Sequence, residues 1–265
     1  MNSQRTNTTA QELFNKVPQV TIAFWIVKIF ATTLGETGGD ALSMQLKLGY
    51  AVSSLIFLAF FAVTLTAQLK ARRYHAAFYW MVVVATTTVG TTTSDYIDRT
   101  LGLGYIASSI MLFSLVLVIL ATWRFATGKI QVDQVKDRKN EFFYWITILV
   151  SNTLGTALGD FTATSIGIGF DGGAIVFAGL LAVVAVLHFA TRIPKTVLFW
   201  AAYVLSRPLG ATLGDTLTKP GAEGGLNLSR IASSLVIAGV MIVLIMITQH
   251  RERDRLGRDT RYGQK

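Results

Sequence analysis

The feature that most constrains this chain is a tryptophan followed fifteen residues later by an aspartate at the end of an apolar segment. The pattern occurs four times, as Trp25 with Asp40, Trp80 with Asp95, Trp145 with Asp160, and Trp200 with Asp215. Repetition on this scale predicts an array of similar structural units. A carboxylate at the edge of an apolar segment is costly unless it is hydrated, paired or used, so the aspartates are candidate functional residues.

Eight long apolar runs predict eight transmembrane helices. Of the 265 residues, 52% are hydrophobic and only 15% are charged. The runs cover approximately residues 20–39, 50–69, 76–94, 105–125, 142–159, 174–190, 197–214 and 231–247. Each run is close to the roughly 20 residues that a spanning helix requires. The predicted fold class is therefore an all-α integral membrane protein.

The basic residues indicate the topology. The net charge is +9, but most Lys and Arg lie in alternate loops and in the tail, not on one face, so no nucleic-acid partner is expected. The opposite loops hold four, which are Lys47, Arg99, Lys219 and Arg230. Both termini are therefore predicted to be cytoplasmic, without a cleaved signal peptide. The absence of cysteine excludes disulfides and cysteine nucleophiles.

The four copies group into two related halves, because the first two tryptophans map onto the last two at a constant offset of 120 residues. Each copy has two helices, which makes the copies parallel repeats about an axis along the membrane normal. The predicted segments are a cytoplasmic N-terminal segment (1–19), a first membrane half (20–125), a cytoplasmic connector (126–141), a second membrane half (142–248) and a basic cytoplasmic tail (249–265).

A second motif precedes each aspartate. It reads Gly35-x3-Gly39-Asp40, Gly90-x3-Ser94-Asp95, Gly155-x3-Gly159-Asp160 and Gly210-x3-Gly214-Asp215. With its tryptophans, the chain resembles bacterial membrane proteins built from four tandem copies of a repeat of unknown function, each with two membrane helices. The resemblance implies this fold and a location in the bacterial inner membrane, and little about activity. Ser94 in the second copy and an insertion in the fourth depart from the pattern.

Counted from the tryptophan, positions +7, +11 and +15 form one polar row on each odd-numbered helix. The row comprises Thr32, Glu36 and Asp40, then Thr87, Thr91 and Asp95, then Asn152, Thr156 and Asp160, and finally Arg207, Ala211 and Asp215. A rise of about 1.5 Å per residue puts each aspartate about 22 Å beyond its tryptophan. The rows predict a polar path with an acidic mouth. Taken singly, each aspartate is also compatible with a hydrated or capping role.

Two further patterns concern packing. Positions +10 and +14 are small and lie beside the polar row, in the spacing that lets membrane helices approach closely; they are Gly35, Gly39, Gly90, Ser94, Gly155, Gly159, Gly210 and Gly214. We assign them to helix packing. The tryptophans Trp25, Trp80, Trp145 and Trp200 are interpreted as anchors at the membrane interface.

Two cations fall inside predicted helices. Lys28 lies one turn before the polar row and either joins it or extends to the interface. Arg207 stands before Pro208, whose ring removes a backbone hydrogen bond. A charge at this depth costs about 3 kcal/mol unless it finds a partner. Glu36, which has no counterpart in the other copies, is predicted to face Arg207 or Lys28.

These residues predict a transporter or channel for a small cation, with a divalent metal and coupling to protons both left open, and with Asp, Glu, Thr and Asn side chains of the odd-numbered helices lining the path. Two alternatives stay open: a non-transporting scaffold or sensor in the lipid bilayer, and a transporter of a small anionic organic substrate that uses Lys28 and Arg207. No enzymatic motif and no cofactor are expected. The sequence predicts neither the identity of a metal nor the oligomeric state.

Overall fold

The structure, a computed structural model, describes residue 18 and residues 20–71, 74–130 and 138–262, with side chains to residue 251. These residues form eight α-helices and no strands. The helices are α1 (Ile22–Asp40), α2 (Tyr50–Lys70), α3 (Ala76–Asp95), α4 (Tyr105–Thr127), α5 (Arg138–Asp160), α6 (Gly169–Ala190), α7 (Lys195–Thr218) and α8 (Arg230–Tyr262). Each helix coincides with a predicted apolar run, which confirms the all-α fold with eight helices.

Some predicted segments cannot be compared with the structure. Nearly all of the N-terminal segment, residues 131–137 of the connector and the side chains of the tail beyond residue 251 lie outside the described residues. The ends of the connector are helical, since α4 continues to Thr127 and α5 begins at Arg138.

The odd-numbered helices form a closed inner ring. Contacts run from α1 to α3, from α3 to α5, from α5 to α7, and from α7 back to α1. The even-numbered helices pack outside this ring, each mainly against the odd-numbered helix of the following copy: α2 on α3, α4 on α5 and α6 on α7. The last helix, α8, packs on α1. The two helices of one copy are therefore held together chiefly through neighbouring copies.

The ring explains an uneven distribution of hydropathy. Within the described residues, five helical segments are long and apolar enough to cross a membrane: α2, α4, α5 with the turn that follows it, α6, and α8 up to residue 251. The other three helices, α1, α3 and α7, all belong to the inner ring, where their polar rows face neighbouring inner helices. Helices of the inner ring can carry threonine and charged residues, because those side chains need not contact lipid. Helix composition by itself therefore identifies five segments that could span a membrane, not eight.

Small residues allow the inner helices to approach closely. The glycine at position +10 of each copy faces the residue at position +7 of the next copy, and a Cβ on any of these glycines would collide with that residue. The four pairs are Gly35 with Thr87, Gly90 with Asn152, Gly155 with Arg207, and Gly210 with Thr32. The small residues one turn later also face the next copy, with Gly39 against Thr91, Gly159 against Ala211 and Gly214 against Glu36. Ser94 is fully buried. This contact pattern places every polar row inside the ring.

The inner helices end at the same side of the bundle, which we name the aspartate end. There α1, α3 and α5 each continue into a five-residue π-helical turn. Gly49 and Gly104 then adopt φ values of +76° and +75° directly before α2 and α4, a backbone conformation that favours glycine. The fourth copy has no such turn; α7 leads instead into a loop with a short 3₁₀ helix, Gly221–Glu223, which contains the insertion.

Candidate functional site

A buried ion pair lies in the middle of the inner ring. Arg207 on α7 is fully buried, and its Nη2 lies 3.0 Å from Oε2 of Glu36 on α1. This contact confirms the sequence-based prediction that Glu36 faces a cation across the bundle. The same guanidinium donates to the hydroxyls of Thr91 and Thr156 and, at 3.3 Å, to the carbonyl of Thr87. Arg207 therefore joins all four inner helices.

The helix that carries Arg207 continues through the following proline. α7 includes Pro208 as an interior residue. Since the proline ring has no N–H, the carbonyl one turn earlier loses its normal helical donor, and the ring occupies the space beside that turn. A Cβ added to Gly155 would lie 3.0 Å from Cδ of Pro208. The glycine on α5 thus makes room for both Arg207 and its proline.

Other polar-row residues near this depth bind backbone or neighbouring hydroxyls. Asn152 donates from Nδ2 to Oγ1 of Thr86 at 2.9 Å, across the boundary between α5 and α3. Thr32 donates to the carbonyl of Ser206 at 3.3 Å and to carbonyls of its own helix. Thr87 donates across to α1 at 3.2 Å. The threonines therefore cross-link neighbouring helices as well as forming the polar interior.

Lys28 does not extend to the surface of the bundle. Its side chain is fully buried, and its Nζ has no hydrogen-bond partner among the described residues. The ammonium lies 4.1 Å from the centre of the Tyr203 ring, the geometry of a cation–π contact. The hydroxyl of Tyr203 is also buried and has no hydrogen-bond partner in the described part of the chain. Lys28 is thus buried inside the ring, and among the described residues it forms no ion pair with Glu36.

The four aspartates meet at the aspartate end, and each is at least 97% buried. Two of them flank Arg99: its Nε lies 3.1 Å from Asp95, and its Nη2 lies 3.3 Å from Asp160 on the next copy. The hydroxyls of Tyr50 and Tyr105 accept further hydrogen bonds from the same guanidinium, both at 3.2 Å. Arg99 is therefore a bridge between the second and third copies.

The other two aspartates flank Lys219. Its Nζ lies 3.2 Å from Asp215 and 2.9 Å from Asp40 on the first copy. Arg230 adds a longer contact with Asp40, at 3.5 Å. Burial of the Lys219 ammonium opposes its charge, but the Asp215 and Asp40 carboxylates outweigh that effect and raise the pKa of Lys219 well above its ordinary value. Lys219 therefore stays charged at neutral pH.

Sequence reasoning treated Arg99 and Lys219 only as loop charges and missed their role. The missed signal is their position, since each base follows the aspartate of its own copy by four residues, one helical turn later. In the first and third copies the equivalent positions are Met44 and Thr164. A base therefore follows the aspartate by four residues in the second and fourth copies only, and this alternation can be read from the sequence when residues are counted from the aspartates.

The carboxylates do not form a set of metal ligands. In the part of the chain that the structure describes, no three His, Asp or Glu side chains are grouped as they would be around a metal ion. Each aspartate faces a basic side chain instead. The N–H donors of Arg99 and Lys219 therefore neutralise these carboxylates.

Three of the four repeat tryptophans pack inside the opposite end of the bundle. Trp80, Trp145 and Trp200 are 5%, 1% and 6% exposed, and only Trp25 is partly exposed. Trp145 packs on Tyr79 with a centroid distance of 5.6 Å. Burial leaves these three side chains little surface for the lipid headgroups that an anchoring role requires. Their aromatic contacts close the ring at this end.

Comparison with known proteins identifies the repeat. The family model described as "Repeat of Unknown Function (DUF347)" matches residues 23–74, 78–129, 143–193 and 198–254. No curated protein and no solved structure matches the chain. Each matched segment contains one inner helix and the outer helix that follows it. With four tandem matches over most of its length, the chain belongs to the DUF347 family of repeats of unknown function.

Proposed function

We propose that this protein is a transporter of a small monovalent cation, driven by or exchanged for protons, whose path follows the axis of the inner ring. In this proposal all eight helices span the bacterial inner membrane, and both termini are cytoplasmic. The observation that carries the proposal is the convergence of the four polar rows on one interior. Five buried carboxylates and three buried bases line that interior, an expensive arrangement for a protein that needs only to fold.

The depth of the charged groups supports a stepwise path. The aspartates with Arg99 and Lys219 form one charged layer, and the Arg207–Glu36 pair lies one to two helical turns deeper. Threonine hydroxyls and the Asn152 amide line the path around the deeper pair. A cation that leaves the aspartates would therefore meet oxygen ligands before it reaches the guanidinium of Arg207.

A direct test measures flux in proteoliposomes. The purified protein and its Asp40→Asn, Asp95→Asn, Asp160→Asn and Asp215→Asn variants would be assayed with Na⁺, K⁺ and ammonium gradients and an internal pH dye. Asp171→Asn is the matched control, because Asp171 is exposed in the first turn of α6. We expect each of the four variants to lose at least about tenfold in rate. Equal flux in all five variants and the wild type would remove the aspartates from the mechanism.

A non-transporting scaffold is the second candidate, and a specific observation favours it. Each of the four repeat aspartates is paired with a base, and the glycine contacts hold the inner helices in close packing. Under this interpretation the charged layer only fixes the order of the helices. The four Asp→Asn variants would then lower stability, and no ion gradient would be dissipated by the wild type.

Transport of a small anionic organic substrate is the third candidate. It is favoured by Lys28, a buried base without a hydrogen-bond partner among the described residues. Lys28→Met would abolish uptake of such a substrate, while cation flux would depend on the aspartates. Measuring anion uptake and cation flux in that variant therefore distinguishes an anionic substrate from a cationic one.

A further inference from the structure

The bridges made by Arg99 and Lys219 are restricted to particular boundaries of the ring. Arg99 connects the second copy with the third, and Lys219 connects the fourth with the first. Both are boundaries between the two halves of the chain. Among the described residues, the boundaries within a half, between α1 and α3 and between α5 and α7, carry no ion pair. At the aspartate end, the two halves are therefore tied by Arg99 and Lys219, with a longer third contact from Arg230 to Asp40.

Each base has one contact that does not depend on the other half. Arg99 lies one helical turn from Asp95, and Lys219 lies one turn from Asp215, so these contacts persist if the halves move apart. The aspartates of the opposite half differ. Asp160 has ion-pair contact with Arg99 alone among the described bases, whereas Asp40 also contacts Arg230 at the start of α8, the outer helix that packs on α1. Separation of the halves would leave Asp160 with a buried charge and no counter-ion, which is strongly unfavourable.

A second observation points to a ligand at this place. Oδ1 of Asp40 is buried and has no hydrogen-bond partner among the described residues, so the carboxylate layer has unused acceptor capacity. The groups that satisfy its other oxygens are a guanidinium and an ammonium, which donate N–H groups. The layer is therefore shaped for planar or tetrahedral nitrogen cations that donate hydrogen bonds.

We propose that Arg99 and Lys219 are exchangeable counter-cations, and that the transported substrate is a small ammonium or guanidinium cation that replaces them on Asp160 and Asp40. The incoming cation takes the hydrogen bond that the base now makes to the opposite half. The base remains on the aspartate of its own copy, and the two halves separate at the aspartate end. This inference rests on the proposed transport function and specifies its substrate class and its site of entry.

The test uses thermal unfolding of the full-length protein in detergent, which does not require transport. Arg99→Met removes the resident cation while keeping a long side chain. We expect methylammonium chloride to stabilise this variant against thermal unfolding, with a half-saturating concentration at least about tenfold lower than for the wild type. This is the change that one additional charge-assisted hydrogen bond produces in a binding constant. Tetramethylammonium chloride, which has the same charge but no N–H, serves as the matched cation and should not stabilise either protein. Adding Asp160→Asn to Arg99→Met should abolish the response.

A more conservative variant keeps the test decisive if Arg99→Met does not fold. Arg99→Lys retains the positive charge but has a single nitrogen in place of the planar guanidinium. Its half-saturating concentration of methylammonium should therefore lie between those of the wild type and Arg99→Met. Equal responses to methylammonium and tetramethylammonium, or a response that persists after Asp160→Asn, would overturn the inference. Flux measurements distinguish a failure of this inference from a failure of the proposed transport function. If methylammonium binds selectively but no cation crosses the membrane, only the transport function is contradicted. If a cation crosses the membrane but methylammonium and tetramethylammonium bind equally, only the exchange of counter-cations is contradicted.

Discussion

The ion pair between Arg207 and Glu36 offers the sharpest test of the interior. Glu36→Gln keeps the shape of the side chain and one acceptor oxygen but removes its charge. Arg207 would keep its contacts with Thr91 and Thr156. A guanidinium cannot lose its proton in a protein, so a full positive charge would stay buried without a counter-charge.

The expected cost follows from burial and geometry. Both side chains are at most 3% exposed, and the closest nitrogen–oxygen distance is 3.0 Å. Removing one partner of a buried, hydrogen-bonded ion pair typically costs about 3–5 kcal/mol. Arg207→Met should cost less, because the remaining Glu36 carboxylate still accepts the hydrogen bond from the Thr91 hydroxyl. The double variant removes both charges, so it should be more stable than Glu36→Gln alone.

The assay is the free energy of unfolding in mixed micelles, followed by far-UV circular dichroism, for the two single variants and the double variant. Glu223→Gln is the matched control, because Glu223 is exposed at the aspartate end; it should change stability by less than about 0.5 kcal/mol. We expect a coupling energy above about 2 kcal/mol, far more than independent sites give. Purely additive single effects, or a cost of Glu36→Gln no larger than that of the control, would refute a charged buried pair.

Three further predictions address packing, pH and hydrogen bonding. Gly210→Ala would force a Cβ into Thr32 and should cost more than about 2 kcal/mol, whereas Gly239→Ala on α8, with no atom within 4 Å, should be neutral or stabilising in the same unfolding assay. Because the pKa of Lys219 is raised, its stabilisation is fully present below the unfolded lysine value of about 10.4 and is lost only as pH rises through the higher folded value. The stability difference between wild type and Lys219→Met should therefore stay constant between about pH 7 and 9, and a difference that shrinks over this window would contradict the assignment. Asn152→Leu removes the hydrogen bond from Asn152 to Thr86 and should lower the free energy of unfolding by about 0.6–1.7 kcal/mol. A larger decrease would contradict the assignment of a single interhelical hydrogen bond to Asn152.

The local pattern of the inner helices was predictable from the sequence. The polar row at positions +7, +11 and +15 and the small residues beside it follow from helical geometry alone, since residues four apart share a face. The pairing of Glu36 with Arg207 was also predictable, because each charge occurs in one copy only and a buried charge requires a partner. The sequence could not show that Lys28 lies against the Tyr203 ring, because that tyrosine is on a helix distant in sequence.

By itself, the sequence determined the number of helices, the fourfold repeat and which face of each inner helix is polar, because these features depend on residues close together in the chain. Only the tertiary structure decided that outer helices pack on the following copy, that α8 packs on α1, and that Arg99 and Lys219 bridge the two halves. The tryptophans illustrate the difference: their position at helix starts is readable, but their burial depends on aromatic neighbours from other copies. Contacts between distant segments are selected by the packing of the whole ring, and no local pattern encodes that choice.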